Sequence, residues 1–282
     1  LEDDRDEKDN LERRINQIAQ SWARLEALPA QPAGREAELS LTFRNAKSIS
    51  FVARRIDMAK LVEDSIAYLK TKPDQNTFDS DFAEVRNIGQ RLIRDHSQKY
   101  LSPPVDAWEM DLEPLPNHWD KHLTMKTPLK DGGAYLIEGK VADGNTARCV
   151  LWIEDLVMLH YTTMDGGERQ FVADAVTGAP VPDAKVTTFG YNREYKRGVL
   201  RGEPFYEWSF ETDSGKTNKD GMASVKRRGQ SYQWVTMARD ERGRLAIEGF
   251  EYFWNNGGRE VDEPRQTRVY AITDRPVYRP AQ

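Results

Sequence analysis

The sequence predicts a mostly β protein with an α insertion: two consecutive immunoglobulin-like antiparallel β-sandwich domains, the first with an inserted helical hairpin, preceded by an N-terminal helix. Three observations predict it. Short runs alternate apolar and polar residues between Gly, Asn and Asp turns, the period of half-buried strands. About seven such runs fall within about 105 residues after Gly167, the strand density of an immunoglobulin-like sandwich. A helical period replaces the alternation at the N-terminus and between Asp57 and Leu101.

The elements follow in chain order. Leu11, Ile15, Ile18, Trp22 and Leu25 recur at spacings of four and three, predicting one helix over 1–28 that Pro29 and Pro32 stop. Such a stripe needs a surface to pack on, so the helix is expected either to dock on the next domain or to be the tail of a further helical region. Leu39, Leu41 and Phe43, then Ile49, Phe51 and Ala53, alternate on either side of Asn45-Ala46-Lys47. They predict a hairpin of 38–43 with 48–56.

Asp57 is a candidate N-cap for a helix whose stripe is Met58, Leu61, Val62, Ile66 and Leu69. Asp81-Phe82-Ala83-Glu84 resembles a capping box for a second helix. Its face is Phe82, Val85, Ile88, Leu92 and Ile93, and Pro103-Pro104 closes the segment. Strand logic returns at Trp108, Met110 and Leu112, at Leu123 and Met125, and over 134–141 and 148–161.

Further strands are predicted at 171–174, 184–191, 206–212, 222–226, 232–238, 244–254 and 268–272. The expected domains are therefore 1–35, a helix and linker; 36–165, a sandwich with its helical insertion at about 57–101; and 166–272, a second sandwich.

Composition narrows the function. The chain has 282 residues, 38% hydrophobic and 31% charged, with 7 Trp, 11 Tyr and 10 Phe. That is too aromatic for disorder and too polar for one large core. The net charge of -5 comes from interleaved acids and bases without a basic stripe, so no nucleic-acid partner is expected. No apolar run reaches the roughly 18 residues that span a bilayer. The single cysteine, Cys149, excludes an internal disulfide and a cysteine metal cluster.

Local motifs carry little chemistry. Gly215-Lys216-Thr217 lacks the glycine five positions earlier that a phosphate loop needs, since Phe210 stands there. Asp213, Asn218 and Asp220 lack calcium-loop spacing and read as a polar hairpin turn. His118 and His122 are four apart but follow Pro114 and Pro116, so they read as loop residues; His96 and His160 stand alone. No pair of the 46 acids is singled out for glycoside hydrolysis. Cys149 sits in an apolar strand and reads as inert. Phe205, Tyr206, Trp208, Phe210, Tyr252, Phe253 and Trp254 are candidates for a sugar-stacking platform, although alternation sends about half inward. No catalytic, cofactor or metal residue is predicted.

Three segments carry a resemblance. The first is Gly132-Gly133-Ala134-Tyr135-Leu136-Ile137-Glu138, with the strand from Cys149 to Leu159. The second runs from Phe171 through Asp174, Thr177-Gly178, Pro180 and Ala184 to Val186, with the hairpin Thr217-Asn218-Lys219-Asp220-Gly221-Met222-Ala223. The third is Thr273-Asp274-Arg275-Pro276-Val277-Tyr278-Arg279-Pro280. Together they resemble the bacterial α2-macroglobulin family. The third is its most specific string, departing only at Ala281, where the family has Gly.

The resemblance implies macroglobulin-like sandwiches that support a bacterial broad-spectrum endopeptidase inhibitor. In such proteins a cut bait loop collapses the domain ring, and a thioester can tether the protease. Neither a bait segment nor the thioester's Cys-Gly-Glu-Gln is present here. The resemblance therefore implies scaffold domains upstream of the reactive parts, no enzyme activity, no cofactor, and an extracytoplasmic setting, periplasmic or at the cell surface. Their partners would be neighbouring domains of the same parent chain and, through the parent, proteases. Residues 273–282 would open a following domain. The rival reading is a stand-alone extracellular adhesion or carbohydrate-binding sandwich.

Overall fold

The structure, a computed structural model, describes residues 11, 15–73, 98–162, 168–196, 205–225 and 232–249. Its strands are β1 (Trp22–Ala27), β2 (Gln31–Pro32), β3 (Glu38–Arg44), β4 (Ser48–Ile56), β5 (Leu101–Asp111), β6 (Lys121–Lys126), β7 (Gly133–Val141) and β8 (Thr146–Glu154). They continue with β9 (Leu156–Thr162), β10 (Glu168–Asp174), β11 (Lys185–Lys196), β12 (Phe205–Lys216), β13 (Met222–Ala223), β14 (Gln233–Arg239) and β15 (Leu245–Gly249). One long helix, Met58–Lys70, joins them.

The strands form four sheets in two facing pairs. In the first pair, β1-β3-β6 packs on β2-β8-β7-β4-β5. Leu39, Leu41 and Phe43 from one sheet meet Ile49, Phe51, Ile137, Cys149 and Leu151 from the other, all buried. In the second pair, β13-β10-β9 packs on β12-β11-β14-β15 around Leu156, Val172, Val186, Val225 and Ala238. The pairings are antiparallel except that of β2 with β8. The predicted β-sandwich class holds.

Several local expectations change. The N-terminal helix does not run to residue 28: helical residues 15–19 give way to β1 at Trp22. Ala23 and Leu25 are buried while Arg24 and Glu26 are exposed, a period of two. A spacing of three between Trp22 and Leu25 fits a helix locally, but pairing with β3 decides the matter. The stripe of Leu11, Ile15 and Ile18 is more than half exposed rather than docked.

The expected hairpin of 38–43 with 48–56 does not form either. β3 pairs with β1 and β6, whereas β4 pairs with β5 and β7, so the Asn45 turn crosses between sheets. Asn45 takes φ 58° there, and its side-chain amide bonds the carbonyls of Ile18, Ala19 and Gln20.

The helix of the insertion forms where predicted. The Asp57 carboxylate accepts from the Lys60 N–H at 3.0 Å, and Met58, Leu61, Val62 and Leu69 are buried. The predicted second helix and residues 250–282, including the strand 268–272 and the third resemblance segment, lie outside the described residues.

The predicted single strand 148–161 is two strands, β8 and β9, broken at Asp155. β9 pairs with β10, so it belongs to the second pair of sheets, and the chain changes sandwich at Asp155 rather than near residue 165. The adjacent acids Glu154-Asp155 interrupt the apolar run at this point, but the apolar residues on either side read as one continuing strand.

Candidate functional site: the seam between the sandwiches

The residues screened for chemistry turn out to hold structure. Gly215 and Lys216 end β12, and Thr217 leads into a hairpin turn. Thr217 is buried; its hydroxyl accepts from the Ala184 N–H at 2.8 Å and donates to the Val181 carbonyl at 2.7 Å. The Asn218 side chain accepts from the N–H groups of Asp220 and Met222, closing an Asx turn. His118 meets Asn45 at 2.9 Å and His122 meets Thr42 at 2.7 Å. His160 lies 3.2 Å from Glu168, and His96 is outside the described residues. Among the described residues no group of three metal-ligating side chains converges. Cys149 is fully buried, and burial pushes its thiol up to about 12.

The aromatic platform is accounted for in part. Trp208 and Phe210 stack on each other and pack with Phe189, Tyr191 and Val235 against the helix face of Val62, Ile66 and Leu69. Their sheet face is covered by the chain itself. Tyr252, Phe253 and Trp254 lie outside the described residues.

The helix thus stands between the two sandwiches. Met58 and Leu61 join Ile56, Ala134, Leu136 and Val150 on the outer face of the first sandwich. Val62 and Leu69 cover the outer face of the second. Leu245 and Ile247 of β15 reach back to the first sandwich's cluster, beside Trp152. The insertion closes at its base: the Asp57 N–H donates to the Tyr100 carbonyl at 2.8 Å. Tyr100 and Lys99 both bond the Asp64 carboxylate, and the Lys99 contact holds that carboxyl below its ordinary value.

A cleft of about 690 Å³ opens beside this seam, lined by residues of both sandwiches, including Arg55, Trp152, Glu154, Asp155, Arg239 and Arg244. Burial raises the Glu154 and Asp155 carboxyls; at Asp155 the Arg244 and Arg55 charges oppose it.

Asp155 is the junction, and Arg244 is built around it. The Arg244 guanidinium donates to the Asp155 carbonyl at 2.9 Å, to Asp174 at 2.6 Å and to Asp240 at 2.7 Å. The Ala175 N–H also donates to the Asp155 carbonyl, at 3.2 Å. The Asp155 side chain lies on the other sandwich: a β-carbon added at Gly132 would fall 2.2 Å from its carboxyl carbon. Arg55 caps that turn by donating to the Gly132 carbonyl at 2.6 Å.

The two parts of the second resemblance segment, the run from Phe171 and its hairpin at Thr217–Ala223, interlock next to this junction. One Asp174 oxygen accepts from the Val176 and Thr177 N–H groups and the Thr177 hydroxyl, while the other takes Arg244. These bonds hold the Asp174 carboxyl well below the usual carboxylate range. Gly221, at φ +73°, lies against Val172: its carbonyl accepts from the Val172 N–H at 2.8 Å, and an added β-carbon would fall 2.6 Å from the Val172 oxygen. Sequence reasoning missed Arg244 and Asp155, because nothing local marks a contact spanning 89 positions.

No family model matches the chain, and no curated protein matches it. Solved structures do. A crystal structure of native α2-macroglobulin from Escherichia coli spanning domains NIE-MG1 superposes with a TM-score of 0.52 at 14% identity, covering 82% of this chain and 97% of that one. The longer E. coli fragment MG0-NIE-MG1 gives a TM-score of 0.48 at 12% identity, and this chain spans 64% of it. The native conformation of the E. coli protein by cryo-EM gives 0.30 at 10% identity, with 16% of its length covered. At such identities the likeness is one of fold, and this chain has the fold of the NIE-MG1 segment of E. coli α2-macroglobulin.

Proposed function

We propose that this chain is a scaffold segment of a bacterial α2-macroglobulin-like protease trap. The observation that carries the reading is the superposition on almost the whole NIE-MG1 fragment. The sequence adds support, because the segments around Asp174 and Gly221 that resemble the family are those that interlock beside the junction. On this reading the segment is inhibitory rather than enzymatic only through its parent. It holds neighbouring domains in place, and the bait and any thioester lie elsewhere in the parent. The setting is extracytoplasmic; among the described residues no helix is long and apolar enough to cross a membrane.

The domains we propose are two macroglobulin-like sandwiches meeting at Asp155, with the helix 58–70 as their spacer. The test is the polypeptide that carries this chain, expressed whole and treated with an endopeptidase. One cut followed by compaction, with the bound protease still active on small peptides but not on large proteins, supports the reading. Digestion without protection of large substrates sinks it.

A further inference from the structure

The seam has the parts of a hinge and of the latch that holds it. Strands β8 and β9 belong to different sandwiches, yet only Asp155 separates Glu154 from Leu156. A rotation between the sandwiches must pass through the backbone of this residue. The open cleft alongside leaves room for such a rotation, because the two bodies do not fill the space where they face each other.

Against this stands Arg244. One of its guanidinium nitrogens bonds both the Asp155 carbonyl and the Asp174 carboxylate, and its Nε is held by Asp240. The Arg244 side chain is 15% exposed and that of Asp240 only 6%. The fork is therefore aimed by two carboxylates of the second sandwich at the carbonyl of the pivot.

We infer that Asp155 is the hinge between the two sandwiches and that Arg244 is the latch that keeps it closed. This is a conformational property of the segment and does not depend on what the parent protein does. Rigid coupling needs the Asp155 carbonyl fixed to the second sandwich while its side chain stays against Gly132 of the first. Among the described residues, removing the guanidinium leaves only the Ala175 N–H on that carbonyl. What then remains across the seam is side-chain packing: the helix on Phe189 and Tyr191, with Lys70 Nζ 5.5 Å from the Phe189 ring, and Leu245 and Ile247 on the first sandwich's cluster.

The test is single-molecule energy transfer between dyes on Glu109→Cys in the first sandwich and Lys219→Cys in the second. Both positions are exposed, and the native Cys149 is buried and silent. The unmodified latch should give one narrow distance distribution. Arg244→Met should broaden it about twofold or split it, as when a sub-global opening replaces a single closed state. Arg244→Lys keeps the charge and loses the fork, so it should broaden the distribution as well and decides the matter if Arg244→Met does not fold. Arg44→Met removes a comparable ion pair to Asp120, 2.7 Å long, at the far end of the first sandwich and should leave the width unchanged. A narrow distribution in both Arg244 variants overturns the latch. So does a broad one in the parent chain or in Arg44→Met.

Discussion

Arg244 and Asp174 meet at 2.6 Å, tying the turn before β15 to the end of β10. The bond joins the two sheets of the second sandwich at the point where the chain enters it from the first. Asp174 also terminates its own strand by holding the Thr177-Gly178 turn. One carboxylate thus fixes a turn, an inter-sheet contact and, through Arg244, the junction at Asp155.

Loss of this carboxylate charge should be visible in acid. The folded-state value of Asp174 lies below its ordinary 3.8, so its stabilisation is present above that value and is lost as pH falls through the folded one. Urea unfolding between about pH 2 and 6 should show a steep acid limb, and Asp174→Asn should flatten it.

Glu154 should behave with the opposite sign. Burial raises its folded value above the ordinary 4.5, so it favours the folded state in acid and disfavours it as pH rises through the folded value. Glu154→Gln is expected to raise stability at pH 7 by a few tenths to about 1 kcal/mol, with the gain shrinking towards pH 4. Thermal melts of the two proteins at both pH values measure this.

Thr217→Val keeps the shape of a buried side chain and removes its hydroxyl. The Ala184 N–H then loses its acceptor, a cost of about 1–3 kcal/mol. The denaturant midpoint should fall without a change in slope. Thr177→Val, at the exposed turn, should cost less than half as much.

Leu69→Ala should separate the spacer helix from the second sandwich. Leu69 is fully buried among Phe189, Tyr191 and Val235, and truncation there costs about 2–5 kcal/mol. Dye binding to the uncovered face of Trp208 and Phe210 should rise, and binding that stays at the native level would contradict the covered-face reading.

Cys149 should be inert to thiol reagents in the native state and react only on unfolding. It is buried in the first core with its thiol pushed up to about 12. The labelling rate under native conditions therefore reports opening of that core.

Much of this architecture was legible from residue patterns, and the failures share a cause. Alternation located β3 and β4, and apolar runs between turn residues located β7, β10, β11, β12 and β14, of which β7, β11 and β14 bury residues on both faces. The Asp57 cap and the helix stripe were equally local. Pairing was not. Nothing near Asn45 tells that β3 and β4 part to different sheets, and Glu154-Asp155 interrupts Cys149–Tyr161 without telling that the strand changes sandwich there. Trp22 and Leu25, three apart, fit a helical period, whereas the strand buries Ala23 and Leu25, and tertiary pairing with β3 decides for the strand. Trp208 and Phe210 read as a ligand platform because their cover, the helix 58–70, lies far away in sequence.

We propose that this fold serves as scaffold in a protease trap. The most direct test is to expose the whole parent polypeptide to trypsin and assay the mixture on casein and on a small chromogenic peptide. A trap should give compaction on a native gel, loss of casein cleavage and retained peptide cleavage. Casein and peptide cleaved at undiminished rates, with no mobility change, would contradict it.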